Sequence, residues 1–366
     1  MATSPRWHVE APGWFGAPAV GLEVTVTILG GLDIHRAQLT YDYVDLITGE
    51  VHGGRITPAD RGNLRVWLQR FAGVGDVAFA LEGCTGWRYV VEELVRAGVT
   101  AHVAEPAETA ALRGKKSRAK TDRADARHLR QLLVDGRVPE SWIPPPAVLD
   151  ARVLVRLYKD LVDERTGWLQ RVHATLFHHG VPAVGASLVT AAGRDQLAAA
   201  LLPAAGRCAV DTGMRQVERL SSEMLPLRRQ IVAVAAQQPS CQALQQHYGI
   251  GPLLAVAIWE ELGDCRRFTS SDDAVRHAGL DVTVWSSDGK RTRGHLAKQG
   301  PPVLRWALYE AAVYAARPSS PDYPHYRQLR QRLEAHIALI TIARKLARRC
   351  YHTLRNTGDA AFAVAA

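Results

Sequence analysis

Three consecutive prolines after Ile143, Pro144-Pro145-Pro146, separate two stretches whose hydrophobic spacing differs. Proline fixes its own φ, lacks an amide donor and restricts the residue before it, so such a run ends any element entering it. Before the prolines, apolar residues form short β-branched runs; beyond them, they recur at helical spacing over dozens of positions. The predicted class is therefore α/β followed by all-α. The expected domains are a tail at 1–23, an α/β domain at 24–143, a helical region at 147–238 and a C-terminal domain at 240–358.

In the first segment, Val24 to Leu29 reads as a strand ending at Gly30-Gly31. Leu39 to Val44 and Val51 to Ile56 flank Thr48-Gly49-Glu50 as a hairpin. Thr57-Pro58-Ala59-Asp60 caps a helix reaching Phe71, with Leu64, Trp67, Leu68 and Phe71 on one face. Val77 to Leu81 and Thr100 to Val103 are further strands around an amphipathic helix, Trp87 to Ala97. This order predicts a mixed sheet.

In the second segment, Val217, Leu220, Met224, Leu227, Ile231 and Val234 form a heptad seam, and Leu154, Leu157, Leu161, Trp168, Val172 and Leu176 a looser one. Either a helical hairpin packing on itself or a dimerising coiled coil satisfies this pattern. Pro226 should kink the second helix, and Ala-rich Leu197 to Gly206 should connect the two. Gly249-Ile250-Gly251-Pro252 resembles the hairpin of a helix-hairpin-helix element. There, glycines let backbone approach a phosphate and a helix N-terminus faces it; a plain helix-start loop is the other reading. Ala335 to Leu354 is a basic helix carrying Arg344, Lys345, Arg348 and Arg349.

The 366 residues carry a net charge of +9, which favours a polyanionic partner, most often nucleic acid. No apolar run reaches the roughly 18 residues that span a bilayer, and Met1 to Gly16 lacks the apolar core of a signal peptide. The five cysteines are scattered without a C-x-x-C, which disfavours a disulfide framework or a structural zinc site. A cytoplasmic protein without a membrane partner is expected.

Against this basic background, a few acids stand in suggestive places. Asp33 follows the first strand, Glu82 ends a later one, and Asp122 and Asp125 sit at i, i+3 on one helix face. Converging at a sheet edge, four carboxylates suit hard divalent cations, and two such ions about 4 Å apart can serve a phosphodiester displacement. Taken singly, each has an ordinary role as turn residue, helix-start acid or solvated face. The run Arg113 to Lys120, with Lys115, Lys116, Arg118 and Lys120 beside Arg123, fits a phosphate-backbone substrate or a solvated loop.

Gly31-Leu32-Asp33, Ala80-Leu81-Glu82-Gly83-Cys84-Thr85-Gly86-Trp87 and Lys120-Thr121-Asp122-Arg123-Ala124-Asp125-Ala126 together resemble the three acidic blocks of the IS110-family transposases. The resemblance implies a RuvC-like domain of RNase H fold whose DEDD tetrad, Asp33, Glu82, Asp122 and Asp125, binds Mg²⁺ or Mn²⁺. The stretch from Ala278 to Gly300 resembles the second domain of that family, in which a nucleophilic serine precedes a glycine and a basic residue. Aligned on Gly289-Lys290, the nucleophile is Ser287, with Asp288 where glycine is common and Ser286 as the adjacent candidate. On residue chemistry alone, the two serines are also turn formers beside Asp288-Gly289. Lys290, Arg291, Arg293 and Lys298 would hold nucleic acid around the serine, and Gly249 and Gly251 would approach a phosphate.

The family implies a DNA recombinase that cuts and rejoins donor and target DNA through a 5′-phosphoserine link. It also implies guidance by a structured RNA and a dimeric or tetrameric assembly with composite sites. Two other readings remain: a RuvC-like nuclease or junction resolvase using water, and a nucleic-acid-binding protein whose acids are structural.

Overall fold

A computed structural model of the chain describes residues 26–113, 121–287 and 290–362. It divides into two compact units, the first ending at Ile143 and the second beginning at Pro144.

The first unit is built on five strands: β1 (Val26–Ile34), β2 (Leu39–Asp45), β3 (Val51–Ile56), β4 (Asp76–Glu82) and β5 (Thr100–Ala104). Their order is β3-β2-β1-β4-β5. β1 to β3 form an antiparallel meander, whereas β4 and β5 run parallel to β1. Helices α1 (Arg61–Leu68), α2 (Trp87–Arg96), α3 (Pro106–Leu112) and α4 (Asp122–Val134) complete it.

Strand side chains alternate between faces, and the two faces differ in size. Ile28, Leu32, Val77, Phe79 and Leu81 point into a core of large side chains with Leu64, Trp67, Phe71, Val90 and Leu94 of the α1–α2 side. Leu29, Ala78, Ala80 and Ala104 point the other way, to Leu129 and Leu133 of α4. Small residues on this second face let α4 lie close to the sheet.

Strand β1 does not stop at Gly30-Gly31 as expected but runs on to Ile34. Both glycines are places of close approach. A Cβ on Gly30 would meet the Phe79 ring at 2.1 Å, and one on Gly31 would meet the Ala126 carbonyl oxygen at 2.1 Å. They read as a strand end because glycine signals a break, whereas here they admit neighbours on both faces.

Between α1 and α2 lies a charge cluster. Glu93 is 1% exposed and receives Arg61 at 2.8 Å, Arg65 at 2.6 Å and Arg96 at 2.6 Å. The hydrogen bond from Arg65, with those from Arg61 and Arg96, holds its carboxyl down at about 2 against the opposing effect of burial.

The second unit contains α5 (Pro146–His178), α6 (Ala191–Ala199), α7 (Ala204–Gln237), α8 (Pro239–Leu244), α9 (Pro252–Leu262) and α10 (Ser271–His277). A two-stranded antiparallel ribbon follows, β6 (Val282–Ser287) and β7 (Lys290–Leu296), then α11 (Pro302–Val313), α12 (Tyr323–Arg330) and α13 (Ala335–Thr357). α5 and α7 pair as an antiparallel hairpin, with Arg165 bonded to Ser221 and the Val172 side chain lying where a Gly213 Cβ would point. Val217, Leu220 and Ile231 are buried in the seam, and α7 continues through Pro226.

The α5 seam is shifted from the expected one. Leu157 is exposed, and Val155 and Tyr158 are buried instead. The stretch Leu197 to Gly206 is not one connection, since Leu197 belongs to α6 and Gly206 to α7. Alanine is a good helix former, so only 200–203 remain between the helices. No helix among the described residues is long and apolar enough to cross a membrane.

Glu93→Gln should lower the first unit's stability by about 1.5–3 kcal/mol at pH 7, the scale of hydrogen bonds to charged groups. A folded-state value of about 2 against an ordinary 4.5 gives stabilisation that is full above pH 4.5. It fades as pH falls towards 2. Denaturation of both proteins across pH 2–7 should therefore show their difference shrinking on the acid side, and a constant difference would refute this account.

Candidate metal centre

Strand geometry alone brings Asp33 and Glu82 together. Leu32 of β1 is registered against Leu81 of the parallel β4, so the next residues, Asp33 and Glu82, are neighbours at the same sheet edge. Asp33 alternates in step with Leu29 and Gly31, and Glu82 with Ala78 and Ala80, which places both carboxylates on the α4 side. Asp33 lies inside β1 rather than after it.

The other two acids arrive on the first turn of α4. Thr121 caps that helix, its hydroxyl accepting from the Ala124 amide at 3.2 Å. Carboxylates are favoured near a helix N-terminus by its unpaired amides. Gly31 sets how near this helix comes, and the Arg130 side chain fastens it to the buried Asp42 of β2.

The four acids are not equivalent. One ligand atom each from Asp33, His35 and Asp122 lies within 4.8 Å of the others. Asp122 is oriented by Gln38, whose amide donates to Oδ2 at 2.8 Å. Asp125 is held by Arg113 at the end of α3. Glu82 is half-buried at the β4 terminus and acts on Asp33 through charge.

Burial pushes the Asp33 carboxyl up to about 6. His35 pulls it down, and Asp122, Asp125 and Glu82 add to the rise. Its Oδ2 is buried without a hydrogen-bond partner. A desolvated oxygen in a field of like charge is costly unless a cation compensates it. Oxygen donors from two or more carboxylates fit a hard divalent ion.

His35 and Gln38 are not among the residues expected at the site, and Arg113, expected at the head of the basic run, pairs with Asp125. The available signal was periodicity: His35 is two residues beyond Asp33 and so on its face. Of the expected nucleic-acid contacts, Lys115, Lys116, Arg118 and Lys120 lie outside the described residues, as do Asp288, Gly289 and the side chains of Ser286, Ser287, Lys290, Arg291 and Arg293. Arg123 is exposed on α4, and Lys298 is exposed with φ of 54°.

Ser287 is the last residue of β6, registered opposite Lys290, rather than part of an open loop. Asp288-Gly289 is the two-residue signal of such a hairpin, and Val282-Thr283-Val284-Trp285 has strand composition. Gly249 has φ of +90°, and a Cβ there would meet the Ala311 carbonyl oxygen at 2.6 Å. The glycine is thus required for packing on α11. Gly251 is open and caps α9. On α13, Lys345 and Arg349 pair with the buried Asp322, Arg348 pairs with Asp272, and Arg344 donates to the Leu280 carbonyl.

An α/β sheet with acids at one edge is thus joined in sequence to a helical region that carries a two-stranded ribbon. Residues 30–179 match the profile of the DEDD transposase domain of IS110 elements, and residues 241–327 match the transposase IS116/IS110/IS902 family. The chain belongs to the IS110 family of transposases.

Among its relatives is a Sinorhizobium fredii protein named as a transposase, y4rJ, which is 28% identical over 243 residues, 59% of each chain. The chain thus spans less than two thirds of that protein's length. A Pseudomonas aeruginosa protein named as a family 20 transposase is 24% identical over 280 residues, 74% of this chain and 81% of its own.

Gly31→Ala should force α4 away from β1, because the new methyl meets backbone rather than a movable side chain. The expected cost is about 1–3 kcal/mol, with weaker Mn²⁺ binding as Asp122 moves from Asp33. Denaturant titration and calorimetric metal titration measure both; unchanged values for both would show that this contact does not set the site.

Proposed function

We propose that the chain is a DNA recombinase of an insertion sequence. In this reading a RuvC-like domain of RNase H fold supplies the tetrad Asp33, Glu82, Asp122 and Asp125, and Ser287 is the nucleophile. The observation that carries the reading is the gathering of these carboxylates at one edge of a 3-2-1-4-5 sheet, with the Asp33 Oδ2 buried and lacking a hydrogen-bond partner. Family membership across both units supports the pairing of acids with serine.

A divalent ion held by the acids, Mg²⁺ or Mn²⁺, would neutralise charge on the phosphate. Asp33 and Asp122 would hold it, while Gln38 keeps Asp122 turned to the site and Arg113 keeps Asp125 in place. The Ser287 oxygen attacks phosphorus and loses its proton, and the 3′-oxygen leaves and takes one up. The product is a 5′-phosphoserine with a free 3′-hydroxyl, which can return to rejoin the strand. Ser287 closes β6 opposite Lys290 of β7, which sets it at the end of the ribbon beside a basic residue.

The basic residues Lys115, Lys116, Arg118, Lys120, Arg123, Lys290, Arg291, Arg293 and Lys298 would meet DNA backbone or a structured guide RNA. The assembly would be a homo-oligomer in which the acids of one copy meet the serine of another. The domain limits follow the same reading, with 24–143 as the acidic domain and 240–358 as the serine-bearing one.

Ser287→Ala should keep DNA binding yet form no protein–DNA adduct on a suicide substrate, and Asp122→Asn should abolish cleavage in magnesium. Denaturing gels and peptide mapping read both. An adduct at Ser286 would move the nucleophile by one residue. Cleavage by Ser287→Ala that leaves free 5′-phosphates would replace the recombinase with a nuclease using water.

A further inference from the structure

At the acidic edge, one side chain lies among the carboxylates without belonging to the tetrad. His35 follows Asp33 by two residues and shares its face. Its backbone is fixed by the turn between β1 and β2, where its amide donates to the Gln38 carbonyl at 3.0 Å. The same turn sends the Gln38 side chain to Asp122. One short turn therefore delivers an imidazole and orients a carboxylate at a single point.

We propose that His35 Nδ1 is a direct ligand of the divalent ion held by Asp33 and Asp122, giving the site a nitrogen donor and a preference for Mn²⁺ over Mg²⁺. The proposal rests on the metal-dependent reading of the acidic edge.

Nδ1 stands 3.0 Å from Asp33 Oδ2, yet that oxygen has no hydrogen-bond partner. The short separation is thus not a formed hydrogen bond. Two donors at right angles on an octahedral ion, with bonds of about 2.1 Å, are about 3 Å apart, and opposite donors about 4.2 Å. The Asp33, His35 and Asp122 ligand atoms fall within 4.8 Å of one another, which matches this spacing after a small contraction. His35 is 53% exposed at its side chain, so the ring can turn towards the ion and solvent or substrate can fill the remaining positions.

Chemistry sets the selectivity. Magnesium takes oxygen donors and sheds its waters reluctantly, whereas imidazole suits first-row transition ions. A site of carboxylates alone gives manganese little advantage; one neutral nitrogen donor adds it. The alternative role for His35 is a protonated partner of Asp33, which would place no nitrogen on the metal.

The test uses the full chain without nucleic acid, loaded with less than one equivalent of Mn²⁺ and measured by electron spin-echo envelope modulation. The wild type should show modulation from a coordinated imidazole nitrogen, and His35→Ala and His35→Gln should lack it. By calorimetry, His35→Ala should weaken Mn²⁺ binding about tenfold while changing Mg²⁺ binding by less than about twofold. His35→Gln, at an exposed position, should keep the wild-type unfolding midpoint and so separate ligand loss from misfolding.

Modulation absent from the wild type, or persisting in His35→Ala, overturns the proposal; if Asp33→Asn still abolishes Mn²⁺ binding, the metal centre itself stands. Mn²⁺ binding unaffected by both Asp33→Asn and Asp122→Asn would remove the metal centre and the proposal together.

Discussion

The direct contact of α4 with β1 at Gly31 is the constraint from which the acidic edge follows. With no side chain at that position, the Ala126 carbonyl and Arg130 amide come within the space a Cβ would occupy. Two residues on, the same strand face carries Asp33, and one turn earlier on the helix stands Asp122. Close packing at a site of no chemistry thus fixes a distance between two charged groups. The small residues Ala78, Ala80 and Ala104 serve the same end across the sheet, and the Arg130–Asp42 pair prevents the helix from sliding along it. Close-packed interiors transmit a displacement of this kind rather than absorb it.

Much of the first unit was legible because its signals are local. The β2–β3 hairpin follows from two β-branched runs around Thr48-Gly49-Glu50, and α1 from the spacing of Leu64, Trp67, Leu68 and Phe71. Gly30-Gly31 misled for a reason that no local rule contains. Glycine breaks a strand in isolation but admits a helix backbone in a folded sheet. The phase of α5 is not legible at Leu157, because a seam of leucines and a seam shifted to Val155 and Tyr158 have similar periodicity. At the acidic edge the four carboxylates were visible as blocks, whereas their inequality was not. Gln38 on Asp122 and Arg113 on Asp125 are contacts across 84 and 12 residues.

In the second unit, several basic residues are spent inside the fold. Asp322 draws in Lys345 and Arg349, and Glu261 draws in Arg152 and Arg156. Glu260, fully buried beside Glu261, is pushed well above the carboxylate range by burial and by that neighbour, against the pull of Arg152 and Arg156. Removing one member of such a group leaves another charge uncompensated, which costs more than the group contributed. A positive net charge is therefore a poor guide to where nucleic acid would lie, since basic residues in such pairs are already committed.

That distinction sharpens the meaning of Asp33. Glu93 is as buried as any acid in the first unit and is compensated by three arginines, so its carboxyl falls to about 2. Asp33 has no arginine; its field is set by burial, one histidine and three further acids, and its carboxyl rises to about 6. The same fold gives one buried acid three arginines and the other a single histidine among like charges. Arg113 is the test of this contrast at close range. By pairing with Asp125 it neutralises the acid on the α3 side while leaving Asp33 and Asp122 facing each other. A fixed guanidinium at Asp33 would stabilise the chain but occupy the place where, in the proposed reaction, a phosphate must come close to its acids. A dissociable ion held by Asp33 and Asp122 would resolve that conflict, because it would offset their charge without a fixed side chain occupying the place of the phosphate.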